Sequence, residues 1–397
     1  MNKTESEVVT MSGYVFVSNS TKPTEEKQKS REPIKLENVN RPCLQTALEM
    51  DYDVYFGVNR ENPQNIDCEL PVHLYDSHTY RSITAFSDNR VAYQNLAKVI
   101  KEGDVDVIHC NTPVGGMIGR LAGKRYHVKK VIYTAHGFHF YKGAPLINRT
   151  VFKWAEQVMA HWTDAIITMN EEDYQSALKF RLRKGGKVYK VHGVGITLDE
   201  FNNIHVDKRT KRNELGLKST DIVCISAGDL VARKNYSIAI KALAKVKNNN
   251  LHYLICGVGP EKEKLEKLAV EYGVSDRVHF LGFRSDVKEW MKISDIFLFT
   301  TLQEGMPRSM MEAMACGLPC VASKIRGNVD LLVEGKGGYL REASDSEEMA
   351  QCLRCLAEDS NLRKKMSEYN LKTIKRFDVK VVKKEIEQIY KEVLGED

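Results

Sequence analysis

Five short apolar runs constrain the fold more than any other feature of the chain: DIVCISAG from Asp221, LHYLICG from Leu251, RVHFLG from Arg277, DIFLFT from Asp295 and PCVAS from Pro319. Each is too short and too uniformly apolar for an amphipathic helix, so each reads as a strand buried on both faces. Helical stretches that start near Asn235, Pro260, Asp286 and Pro307 separate them. Alternation of this kind at short loop lengths calls for a mostly parallel sheet with helices on both faces. The first half repeats the pattern. GYVFVSNS from Gly13 and DYDVYFGVN from Asp51 read as strands around the short helix CLQTALEM. The helical spacing of Val91, Leu96, Val99 and Ile100 then leads into VDVIHCN, VIYTA, a long amphipathic helix holding Trp154 and Trp162, DAIITM and KVYKV. The Gly-containing polar stretch HGVGITLDEFNN reads as a crossing between domains.

A length of 397 residues suits two domains of ordinary size. The expected division is 1–193, 194–375 and a terminal helix at 376–397. No apolar run approaches the ~20 residues that span a bilayer, and MNKTESEVVT lacks a signal-peptide core. The expectation is a cytoplasmic protein. Nine cysteines, an odd number lying mostly in apolar patterns, are the usage of small buried hydrophobes in a reducing compartment. Cys352 and Cys355 form a C-x-x-C in a helical setting without a second pair, which argues against zinc. A net charge of +6 is too mild to imply nucleic acid. The dense basic segments KRYHVKK from Lys124 and KFRLRKGGKVYK from Lys179 read either as solvated faces or as peripheral contact with an anionic membrane. TKPTEEKQKSREP from Thr21 reads as a mobile loop.

The stretch TTLQEGMPRSMMEAMACG from Thr300 to Gly317 carries the chemistry. Pro307 suits a first helical turn, where its missing N–H has no partner to lose. The N–H groups of Met306 to Ser309 then face outward, where the helix dipole favours an anion such as phosphate. Glu304 stands just outside that anion site. Glu312, among Met310, Met311, Ala313, Met314 and Ala315, needs a partner: a cation, a backbone donor or a ligand hydroxyl. Arg233 and Lys234 follow a strand end in SAGDLVARKNYS, either as exposed charges or as a pyrophosphate clamp with that helix start. Gly257 and Gly259 make a tight turn before Pro260 without the third glycine of a dinucleotide fingerprint. LGFRSDV, with Phe283, is a similar turn.

In the first half, Asn111 ends a strand, and Thr112 with Pro113 reads as N-cap and first helical residue. Gly115 and Gly116 admit either close approach of a ligand or tight helix-on-sheet packing. His136 falls at the carboxyl edge of the sheet, where open α/β folds bind ligands. His139 lies near it, but two histidines without an acid or thiol make weak metal ligands. Asn170 with Asp173 resembles a capping box.

The E-x7-E pair, EGMPRSMMEAMACGLPCVAS around it and VEGKGGYL from Val333 together resemble the family 4 retaining glycosyltransferases of the GT-B fold, over residues 100 to 397. The resemblance implies two Rossmann-like doubly wound domains facing across a cleft, with a final helix crossing back to the first. It implies transfer of a hexose or N-acetylhexosamine from a nucleotide sugar, UDP-linked, to a glycan or polyprenyl-diphosphate-linked acceptor. Anomeric configuration would be retained, and neither a metal nor a cofactor beyond the nucleotide sugar is implied. His136 and Glu304 would act on the sugar. Arg233, Lys234, Gly257, Gly259, Phe283, Gly305, Met306, Pro307, Arg308, Ser309 and Glu312 would hold the donor. Asn111, Gly115, Gly116, His139 and Tyr141 would lie on the acceptor side. Two features depart from the family: Asp229 stands where an arginine is common, and no glycine pair follows Ser20. A UDP-sugar epimerase of the same fold and a non-catalytic accessory subunit are the alternatives. Work at the inner face of the cell membrane would suit a lipid-linked acceptor.

Overall fold

The computed structural model describes residues 11–18, 34–35, 40–59, 66–80 and 82–395. The loop expected from Thr21 and the turn after Ser20 lie outside them. The chain divides into two compact units, one of Met1–Gly193 with Val382–Asp397 and one of Val194–Val381.

The first unit holds β1 (Gly13–Val17), β2 (Ile34–Lys35), β3 (Asp53–Val58), β4 (Ile66–Asp67), β5 (His73–Asp76), β6 (Val105–Asn111), β7 (Lys130–Ala135), β8 (Ala165–Thr168) and β9 (Lys187–Lys190). Seven of these form one parallel sheet in the order β5-β3-β1-β6-β7-β8-β9, and β2 pairs with β4 separately. Strand order reverses between β1 and β6, so a ligand crevice is expected beyond their carboxyl ends. Asn111 and the helix Pro113–Arg125 stand at that point.

The second unit holds β10 (Ile222–Ala227), β11 (Leu251–Cys256), β12 (Val278–Gly282), β13 (Ile296–Phe299), β14 (Cys320–Ser323) and β15 (Gly338–Arg341), ordered β12-β11-β10-β13-β14-β15 and parallel throughout. Its reversal lies between β10 and β13. The loops leaving those two strands are the ones that carry Lys234 and Glu304. The helix Arg308–Ala315 buries Met310, Met311, Ala313 and Met314 in the same core as Phe297 and Phe299, which fixes its direction.

Two expectations change. The amphipathic stretch before β8 is a π-helical turn, Asn148–Phe152, followed by the α-helix Lys153–Ala160, and Trp162 lies beyond its end. The last helix is Val379–Leu394, preceded by a 3-10 turn at Ile374–Phe377. It buries Val382, Ile386, Ile389, Tyr390 and Val393. Within the first unit the Tyr390 hydroxyl lies 2.6 Å from that of Tyr14 and 2.5 Å from His109 Nδ1. His109 Nε2 lies 2.8 Å from Thr134 Oγ1. With Nδ1 accepting from Tyr390, Tyr14 donating to the Tyr390 oxygen and Nε2–H donating to Thr134, every polar atom of this buried imidazole is satisfied by the neutral form.

Candidate functional site

At the reversal in the second unit, two loops are laced together. The 3-10 turn Ala232–Lys234 closes at Asn235, which adopts a left-handed conformation at φ 54° and ψ 37°. Its Nδ2 donates to Thr300 O at 3.1 Å and to Ala343 O at 2.8 Å, and Thr300 Oγ1 donates to Asn235 O at 2.9 Å. The Leu302 N–H donates to Arg233 O at 2.8 Å. This lacing places Lys234 Nζ 2.7 Å from Glu304 Oε1, with Thr301 Oγ1 donating to the same oxygen at 2.9 Å and Arg233 Nη1 at 3.5 Å. The Lys234 and Glu304 side chains are only 11% and 13% exposed, so their pairing is screened little by solvent. The Lys234 ammonium also lies 4.9 Å from the Phe299 ring centre. Arg326 Nε donates to Glu304 O at 3.1 Å and steadies the loop from the other side. A Cβ at Gly327 would stand 2.5 Å from Gly305 O, so glycine there lets the two loops touch.

Two cations, Arg233 and Lys234, meet the Glu304 carboxylate here while Asp229 acts on Tyr236 nearby, so the positive charge is concentrated at the Arg233–Lys234 turn. The helix Arg308–Ala315 starts beside it, its dipole adding to the same sign. Pro307 is the N-cap rather than a first-turn residue: at φ −78° and ψ 111° it is extended, and the helix begins at Arg308. Glu312 finds a cation on its own helix, Arg308 Nε at 3.0 Å one turn earlier. That contact satisfies the need for a partner without a ligand.

Gly257 and Gly259 are explained by contacts within the unit. A Cβ at Gly257 would lie 2.0 Å from Gly228 O, and one at Gly259 would lie 2.4 Å from Leu230 O. Backbone bonds from Gly228 N to Cys256 O, Leu230 N to Val258 O and Gly257 N to Gly282 O tie the strand ends into one rim. Phe283, next on that rim, is 80% exposed. Tyr236 donates to Gly228 O at 3.0 Å; burial above all, and then Asp229, pushes its pKa up, so it stays a donor.

In the first unit, His136 directly follows β7, and the loop behind it is pinned from α-helical territory. The Asn170 side chain accepts from Asp173 N, as the capping reading requires, and Asp173 Oδ2 in turn accepts from Phe138 N at 3.2 Å. Phe138, Phe140 and Phe180 pack together beneath. The His139 ring stacks on Phe152 with centres 5.5 Å apart, and His139 O accepts from Asn148 Nδ2 at 3.1 Å. Tyr141 O accepts from Ala144 N at 3.0 Å. Asn111 is buried and its Nδ2 donates to Asn40 Oδ1 at 3.2 Å. Gly116 has a packing reason, since a Cβ would meet Tyr133 Cε2 at 2.4 Å; at Gly115 it would come within 3.2 Å of Val17 O. Thr112 is the N-cap as expected, but its side chain makes no capping bond. Burial, and then the neighbouring His136, lowers the pKa of His109 to about 3.

The expected residues thus fall into two groups, His136 with the acceptor-side residues in one unit and all donor-side residues in the other. The basic segments are partly neutralised at home. Arg183 pairs with Asp164 at 2.9 Å, Lys129 with Asp106 at 2.6 Å, Lys187 with Glu392 and Lys190 with Glu171. Asn235, Thr301 and Arg326 escaped the sequence reading. Only Thr301, beside Thr300 at a strand end, gave a local cue; Arg326 depends on a contact that no spacing reveals.

Residues 46–192 match the family described as Glycosyltransferase Family 4, and residues 207–373 match Glycosyl transferases group 1. The Bacillus subtilis (strain 168) protein named "Putative glycosyltransferase EpsD" is 33% identical over 314 residues, covering 78% of this chain and 82% of that one. The Escherichia coli UDP-Gal:alpha-D-GlcNAc-diphosphoundecaprenol alpha-1,3-galactosyltransferase is 29% identical over 287 residues, 71% of this chain and 74% of its own. Among solved structures, Anabaena Alr3699/HepE in complex with UDP aligns with a TM-score of 0.75 at 19% identity, over 95% of this chain and 99% of that one.

Proposed function

Because the chain belongs to the family 4 glycosyltransferases and has their GT-B fold, we propose that it moves a hexose or N-acetylhexosamine from a UDP-sugar to a polyprenyl-diphosphate-linked or glycan acceptor, with retention of configuration and without a metal ion. The observation that carries this reading is the Lys234–Glu304 contact at the β10–β13 reversal. An ammonium has three donors. One serves Glu304, so Lys234 can hold a diphosphate oxygen while keeping the carboxylate in place. Arg233 and the start of the helix Arg308–Ala315 add positive charge where the leaving phosphate gains negative charge, the task a divalent ion performs elsewhere. Glu304 then offers an acceptor to the hydroxyls of the sugar as its ring gains positive charge.

In the step proposed, the bond from the anomeric carbon to the phosphate oxygen breaks and a bond to the acceptor oxygen forms on the same face. The acceptor proton passes to the departing phosphate. His136 is proposed to hold the sugar hydroxyls, the role that the resemblance of its segment implies. The relatives whose names specify diphospho-undecaprenol acceptors support the acceptor class, and the neighbour in complex with UDP supports the nucleotide. No helix among the described residues is long and apolar enough to cross a membrane, so work on such acceptors at the inner membrane face would be by peripheral contact.

The test is a donor screen. Purified protein is incubated with radiolabelled UDP-sugars and a GDP-sugar, with and without lipid extract and with and without a chelator. Label should pass to the lipid fraction from a UDP-sugar only, and the chelator should not matter. Conversion of the donor to its epimer without any acceptor overturns the reading.

A further inference from the structure

The segment that packs behind His139 is apolar on its outer side. Leu146, Ile147, Val151 and Trp154 are 74%, 62%, 54% and 65% exposed. Isolated exposed apolar residues are ordinary, but four of them along one turn-and-helix segment form a patch. The segment is firmly seated from within. Glu156, on its inner side, meets the fully buried Arg120 at 2.7 Å, and Phe152 stacks on His139. Between Tyr141 and Ala155 the sequence holds three cations, Lys142, Arg149 and Lys153, and no acid. Lys142 and Arg149 are exposed, and Lys153 is half-buried.

The geometry points to residues 142–154 as an interfacial anchor that seats the first unit on an anionic lipid bilayer, with Trp154, Ile147, Leu146 and Val151 dipping below the headgroups and the three cations at headgroup level. An apolar stripe with an aromatic residue and interspersed cations is the composition that lies in a membrane surface rather than across it; Glu172, which accepts from Lys142 N at 2.6 Å, is an acid at its edge. A protein partner of ordinary composition would not select for the missing acids, whereas an anionic headgroup layer does. The consequence deepens the proposed function and rests on it. His139, held against Phe152 and Asn148, and Tyr141 would sit at the bilayer surface, where the diphosphate of a polyprenyl-linked acceptor emerges. The basic segments seen in the sequence would be secondary, since acids within the unit already engage part of them.

The experiment is sedimentation of the full chain with vesicles of phosphatidylcholine alone, or of phosphatidylcholine and phosphatidylglycerol in equal parts. The wild type should pellet with the anionic vesicles. Ile147→Ser with Trp154→Ser should weaken binding at least about tenfold. Lys142→Gln with Arg149→Gln and Lys153→Gln should weaken it about fivefold per charge, most strongly at low salt. The changed side chains are exposed except for the half-buried Lys153, and unchanged melting temperatures would confirm that both variants fold. Transfer to a short-chain, water-soluble acceptor should be unaltered in both, while transfer to the full-length lipid acceptor in vesicles falls. Equal pelleting of wild type and variants overturns the anchor. So does a wild-type dimer that Trp154→Ser dissolves without any vesicle binding, which would make the patch a contact between copies. Vesicle binding as described, together with no transfer to any acceptor, would instead refute the proposed function and leave the anchor standing.

Discussion

Replacing His109 by asparagine should remove an acid sensitivity built into the first unit. The imidazole is fully buried among Tyr14, Tyr390 and Thr134. Burial, assisted by His136, lowers its pKa from 6.5 to about 3. Between those values the unfolded chain binds a proton that the folded chain refuses, so stability rises with pH through this window and is lost as pH falls below the unfolded value. One proton corresponds to about 1.4 kcal/mol per pH unit. From about pH 7 to pH 4.5 the wild type should therefore lose about 2 to 3 kcal/mol more than His109→Asn, whose side chain keeps an acceptor near the Nδ1 position but does not titrate. Carboxylates elsewhere titrate alike in both proteins and cancel in the difference. At neutral pH the variant should be the less stable, by about 1 kcal/mol, for the lost bond to Thr134. The assay is urea unfolding at several pH values, read by pulsed hydrogen exchange in peptides from β1 and β6, so that only the first unit is scored. Parallel stability curves for the two proteins would mean that the folded imidazole accepts a proton at its ordinary pKa, and would refute the reasoning.

Asn235→Ala should lower stability of the second unit by about 2 to 3 kcal/mol, from two lost hydrogen bonds and a left-handed backbone without its stabilising side chain. By scanning calorimetry that is a melting shift of about 5 to 10 °C, and Asn235→Gly should recover only the backbone share. Gly116→Ala should cost the first unit about 1 to 3 kcal/mol by forcing Tyr133 aside. Tyr133→Leu in the same chain should restore part of that loss, and a strictly additive double variant would contradict the packing explanation.

The alternation of strands and helices was legible because parallel strands buried on both faces leave short unbroken apolar runs, as in VCISA and FLFT. Glycine content and polarity mark HGVGITLDEFNN as a crossing without fixing one residue, and the two units divide at Gly193 and Val194 within it. Of the expected anion site, local spacing reaches only one part: Glu304, Gly305 and the helix after Pro307 lie within one stretch. What joins them to Lys234 lies seventy positions away, where no local pattern connects an ARKN turn to a TTLQE loop. The seat of the last helix is hidden more deeply still, since Tyr390 meets Tyr14 and His109 across nearly the whole chain. The sharper reading of Glu312 met a competitor in Arg308, a partner one helical turn away that the apolar neighbours around it obscured. The sequence leaves Gly116 open to a ligand's approach or to tight packing and reads Gly257 and Gly259 as a tight turn that a nucleotide can approach; the structure gives each a neighbouring atom that a side chain would strike. Sequence shows that a glycine is small; only the fold shows what presses on it.

The central claim is that Lys234, set by Asn235 and Glu304 at the β10–β13 reversal, grips the diphosphate of a nucleotide sugar. Calorimetric titration of wild type and Lys234→Gln with UDP and with uridine measures that grip directly. The account predicts that the substitution weakens UDP about 10- to 100-fold, the range for a lost charge-assisted hydrogen bond, while uridine binds both proteins alike. Equal affinities for UDP, or an equal loss for UDP and uridine, would contradict it.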